Sequence, residues 1–167
     1  MNTRSLAVAA LAAALLGVGS MVHTDQPPAT HVQIVQAAGN RMSTAQVAES
    51  ADHVLVADVV RLLGTDTGSG LPRTRFEVTV LGNLFGSLPR TVEVMQVGGA
   101  DTADHRLVLV EGDRTLVPGD RVLLATRTTA AGLQVIPAAG NRRLDVTLPW
   151  ELQPAVQTMR TALSNRS

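Results

Sequence analysis

The densest run of chemically capable side chains is VEVMQVGGADTADHR, residues 92–106. Asp101, Asp104 and His105 are of the types that ligate a divalent cation, and Glu111 or Asp113 could add an oxygen donor. Such a set would belong to a metal-dependent hydrolase. These residues follow Gly98 and Gly99, on backbone expected to be flexible, and aspartates decorate turns because they bond the nearby backbone. The segment reads better as an apolar strand ending in a solvated turn. The two glycines then permit positive φ at a sharp strand end or bulge. No lysine, helix start or Gly-x-Gly-x-x-Gly follows, so this is not a phosphate loop.

Other reactive types are scattered. His53 follows Asp52, with Ser50 close by, but sequence neighbours rarely meet in triad geometry and no Gly-x-Ser-x-Gly elbow is present. Asp58 interrupts an apolar strand between Ala57 and Val59. If buried, it needs a partner such as Arg61 or an arginine of residues 74–90. The favoured reading puts it on an edge, facing solvent. Arg73, Arg75, Arg90, Arg142 and Arg143 could form a basic stripe, but Glu77, Glu93 and Asp145 interleave with them, as cross-strand ion pairs would. Leu84, Phe85 and Leu88 are either a partner-binding tip or a plug for one end of a barrel, and the plug is favoured. Trp150 is expected to anchor the C-terminal helix. Catalytic residues, metal ligands and cofactor-binding residues are all expected to be absent.

The composition narrows the function classes. The chain has 167 residues, with 14 basic groups, all arginine, against 14 acidic ones. That balance removes the simplest case for a nucleic-acid partner. Phe76, Phe85 and Trp150 are its aromatics, too few for base stacking. Cysteine is absent, which excludes disulfides, thiolate metal sites and a cysteine nucleophile.

The N-terminus carries an address. Arg4 precedes an unbroken apolar stretch, Leu6 to Val18, and then the small residues Gly19 and Ser20. Residues 1–22 are read as a cleaved export signal, with a retained membrane anchor as the alternative. Both place the rest of the chain outside the cytoplasm, secreted or extracytoplasmic. Residues 23–40 contain Pro27 and Pro28 and read as an extended tether. Residues 41–164 are read as one domain.

Within that domain, residues 43–51 predict a short helix. Ser43 and Gln46 form a capping box, and Met42 and Val47 a hydrophobic staple. Residues 53–63 predict a strand buried on both faces for part of its length, and 64–72 a loop. Strands are expected at 74–81, 91–97, 106–112, after the turn at 118–120, and at 133–138. Leu152, Val156, Met159 and Leu163 recur at helical spacing, with Pro154 suited to the first turn. The fold class is therefore mainly β. A small antiparallel OB-like barrel of five to six strands is expected, flanked by the two helices.

Four stretches carry a resemblance: SADHVLVADVV at 50–60, FEVTVLGNLFGSLP at 76–89, VEVMQVGG at 92–99 and LVPGDRVLLAT at 116–126. The chain resembles small exported β-barrel proteins of actinobacteria and firmicutes, OB-like or netrin-like in outline. That group often has glycine at the positions of Ala57 and Asp58, lysine-glycine at Phe85 and Gly86, and aromatics within residues 122–126. The resemblance carries no catalytic residue. The netrin-like inhibitors act through an N-terminal cysteine, so inhibition is not implied here.

The expected function is a non-enzymatic binding or accessory module at the cell envelope. Its partner would be a protein, a peptide or an envelope component, with no nucleic acid, and with membrane contact only through an uncleaved N-terminal segment. A metal-dependent hydrolase using Asp101, Asp104 and His105, and a structural subunit of an envelope complex, are the alternatives.

Overall fold

Strand β2, His53–Asp66, is apolar on both faces because two cores meet on it. The protein is described by a computed structural model covering residues 30–36, 42–68, 70–102 and 104–166. The expected signal or anchor at 1–22 lies outside the described residues. Among the described residues, no helix is long and apolar enough to cross a membrane.

The fold is mainly β with two helices. Strands β1 (His31–Val35), β5 (Gly99–Asp101) and β6 (Arg106–Val110) form a three-stranded sheet. Strands β2, β3 (Arg73–Phe85), β4 (Thr91–Val97), β7 (Arg121–Thr129), β8 (Gly132–Val135) and β9 (Asn141–Arg143) form a six-stranded one. In the larger sheet β2 pairs with β3 on one side and β7 on the other. β3 pairs with β4, β4 with β8, and β8 with β7, so the pairings return to β2. The return is narrow, since β4 and β8 share only Val94↔Leu133 and Met95↔Gln134. The sheet is thus curled and irregular, and not a purely antiparallel barrel: β4–β8 and β1–β6 run parallel.

The curl divides the apolar side chains. Leu55, Ala57 and Val59 point inward with Phe76, Val78, Val94 and Leu124. Val54 and Val56 point outward with Leu123 and Ala125, under helices α1 (Thr44–Ser50) and α2 (Pro154–Ser164). A seven-residue helix is too short to persist alone. α1 is held by burial of Val47 and Ala48 and by its cap. There Ser43 Oγ accepts from Gln46 N at 3.3 Å, and Gln46 Oε1 accepts from Ser43 N at 2.8 Å. α2 begins with Pro154 in its first turn and buries Val156 and Met159. Leu152, expected on the same stripe, is 69% exposed. It lies in a 3₁₀ turn, Trp150–Leu152, before the helical period starts.

Several expectations are corrected. Residues 31–35, assigned to the tether, form β1. Its side chains are largely exposed, so it carries little hydrophobic pattern. Backbone bonds to the β6 edge hold it, among them His31 N to His105 O and Glu111 N to Val35 O, both 2.8 Å. The strand expected at 106–112 is β6, and it belongs to the small sheet. β2 runs to Asp66 and β3 to Phe85, past the expected ends at 63 and 81, because irregularities in their register let the pair bend and continue.

The expected plug holds only in part, since Leu88 packs on the inner core but Phe85 does not. Leu116, in the loop after β6, fills the inner core. Its N–H donates to Gln96 Oε1 at 2.9 Å, while Gln96 Nε2 donates to Arg114 O at 2.6 Å. Phe85 is 36% exposed, with the Arg166 guanidinium 4.2 Å from its ring centroid. Leu84 and Leu88 are each packed against a core, the outer and the inner respectively. Trp150 does anchor the outer layer, its benzo ring against Gly82 of β3, where a Cβ would come within 2.6 Å of it.

Two substitutions test this packing. Gly82→Ala displaces the indole and is expected to cost about 1–3 kcal/mol. Trp150 is the sole tryptophan, so its emission should shift to the red. Leu116→Ala is expected to cost about 2–5 kcal/mol by urea denaturation, clearly more than Phe85→Ala, because only the former opens a closed core.

Candidate functional site

The outer layer is incompletely filled. Between α1, α2 and the strands β7 and β9 lies a cavity of about 800 Å³. Its floor is apolar, made by Met42, Val47, Leu123, Leu144 and Met159. Thr44, Asn141, Arg142, Gln153 and Thr158 stand around it.

One wall is the turn from Ile136 to Gly140, pressed against β7. Ile136 N donates to Ala125 O at 3.0 Å and Ala125 N donates to Gly140 O at 2.7 Å. A Cβ at Gly140 would come within 2.5 Å of Ile136 O, so only glycine closes this turn. Ala138 takes a φ of 66° within it. Most of the polar groups around the cavity are already used. Gln153 brackets Asp145, donating to its carbonyl and accepting from its N–H at 3.2 Å. Thr158 Oγ1 donates to Pro154 O at 2.9 Å. Asn141 Nδ2 donates to Asp113 Oδ1 at 2.8 Å and to Arg114 O at 2.7 Å.

The sequence-derived candidates lie elsewhere. Asp101 is buried, and its Oδ2 accepts from Arg106 Nε at 2.9 Å. Asp104 donates its N–H to Asp101 Oδ1 at 3.3 Å and keeps its carboxylate 3.6 Å from Arg106 Nη2. His105 sits in the same turn with a φ of 47°. The three residues build the β5–β6 turn around Arg106. Among the described residues, no three His, Asp or Glu side chains are grouped to hold a metal ion. Ser50 Oγ donates to Val47 O and the Asp52 carboxylate accepts from Thr128 N, so neither is bonded to His53. His53 Nδ1 is buried without a hydrogen-bond partner, and so is Oγ1 of Thr126, its cross-strand neighbour.

Asp58 is on no edge. It lies between β3 and β7 and accepts from Arg121 Nε at 2.7 Å and Nη2 at 3.1 Å. That pairing raises the already high pKa of Arg121. Two arginines of the supposed basic stripe, Arg75 and Arg143, are likewise paired. Arg75 meets Glu93, Arg143 meets Asp120, and Glu77 is held by Arg61.

No family model matches the chain, and no curated protein matches it in sequence.

Sequence reasoning overlooked Gln96 and Asn141, the two amides that fasten the 111–116 loop. Neither belongs to a motif. The one available signal was a glutamine on the inward parity of an apolar strand. Asp113 belongs with them. Burial pushes its carboxyl pKa up, opposed by hydrogen bonds from Gln96, the Ala138 and Arg114 backbone and Asn141. Its Oδ2 is buried and has no partner. A carboxyl whose folded pKa is raised contributes stability that is full below the unfolded pKa and is lost as pH rises through the folded one. Relative to Asp113→Asn, the natural chain should therefore gain stability as pH falls from about 7 to about 3. Thermal unfolding across that range checks this, and a constant gap between the two proteins would contradict it.

Proposed function

We propose that the chain is an exported binding or accessory module of the cell envelope, built on an OB-like barrel and taking a small amphipathic ligand outside the barrel. The cavity between helices and sheet carries this reading. Its volume lies within the range of small-molecule sites, and it joins an apolar floor to a few polar groups. The returning order β2-β3-β4-β8-β7 supports the OB-like description, since that fold is a five-stranded, partly open barrel. The N-terminal apolar stretch behind Arg4 supports export.

OB-like barrels commonly bind on a strand face or at loop ends. Here the inner core is packed and closed by Leu116, whereas the helix layer leaves room. The proposed site is therefore the helix layer. Thr158 is exposed and borders the cavity, so Thr158→Trp fills the space without disturbing a core. Native mass spectrometry of the chain purified from its host envelope should show an added small mass, absent from the variant at unchanged thermal stability. A chain with no added mass, or a variant that keeps it, would count against this function.

A further inference from the structure

The cavity has an electrostatic bias that the balanced chain lacks. Arg142 and Arg143 line it, and no aspartate or glutamate does among the described residues. Arg143 is neutralised by Asp120, whose Oδ1 lies 3.0 Å from its Nε. Arg142 has no acidic partner among the described residues. It lies opposite Leu123 in the β7–β9 register, and directly paired residues leave a sheet on the same face. Leu123 belongs to the core beneath the helices, so that face is the one bearing the cavity.

The other polar side chains narrow the ligand. Gln153 uses both ends of its amide within the protein, Asn141 its N–H groups and Thr158 its hydroxyl hydrogen. Among the described residues, the Arg142 guanidinium and the Thr44 hydroxyl have no hydrogen-bond partner. A sugar or nucleotide needs many partners and finds few here. A ligand with one anionic group and a long apolar body matches what is left. Met42 and Met159 are unbranched and adapt their shape to such a body.

The geometry points to a long-chain carboxylate as the occupant, its alkyl chain on the apolar floor and its head on Arg142 through paired N–H···O bonds. This rests on the binding function proposed above and names its ligand class. The two ideas separate in one titration series. Dodecanoate and dodecanol, both below their aggregation limits, are titrated calorimetrically into the natural chain, Arg142→Gln and Thr158→Trp. Dodecanoate should bind the natural chain at least about tenfold tighter than the alcohol. Arg142→Gln should erase that preference and leave dodecanol affinity unchanged, and Thr158→Trp should weaken both. Equal binding of acid and alcohol, or a preference that survives Arg142→Gln, overturns the carboxylate assignment while the cavity stays a binding site. No binding of either compound, or full binding of both to Thr158→Trp, ends both ideas.

Discussion

Val54, Leu55, Val56 and Ala57 are four consecutive residues with no exposed surface. Successive side chains of a strand point to opposite faces, so a run of this kind requires apolar cover on both sides. The curled sheet supplies one side by closing around Leu55 and Ala57. Helices α1 and α2 with Trp150 supply the other, over Val54 and Val56. Fully burying an aliphatic side chain contributes about 1.5–3 kcal/mol, so neither layer is dispensable. α1 is too short to form without β2 beneath it, and β2 is too apolar to be stable without α1 and α2 above it.

The two layers are filled differently. The inner one is closed by Leu116 on a loop tied down by Gln96 and Asn141. The outer one is two helices laid across a twisted surface, and near β9 their cover leaves a cavity. The charges follow the same division. Asp58–Arg121, Arg61–Glu77 and Arg75–Glu93 are cross-strand pairs on partly or fully solvated faces. Solvent screening keeps the contribution of such pairs to stability small. Arg142, at the cavity, is in none of these pairs.

Much of the architecture was readable in the residues. The cap of α1 shows in Ser43 and Gln46, the double burial of β2 in its unbroken apolar run, and the start of α2 in Pro154 followed by Val156 and Met159. These signals are local, because each is set by propensity or periodicity within a few residues. The errors were non-local. β1 is held by backbone bonds to an edge that the sequence does not reveal. Asp58 was misplaced because its partner, Arg121, lies 63 positions away. Phe85 was favoured as the plug for its size, yet Leu116 has the position and the hydrogen bonds that fix it. Of the candidate site, Met42, Val47, Arg142, Arg143, Pro154 and Met159 drew notice, but as a staple, a stripe and a helix face and not as one cavity.

The amino-acid sequence by itself determined a mainly β fold with two helices and a chain without thiol chemistry. Those properties depend on composition and on the alternation of neighbouring residues. Only the tertiary structure decided that Asp101 and Asp104 serve Arg106, that Leu116 closes the inner core, and that Arg142 shares a cavity with Met42 and Met159. Those facts depend on which distant segments pair and on which face each side chain leaves the sheet. A shift of one residue in strand register reverses that face while leaving the local sequence signal unchanged.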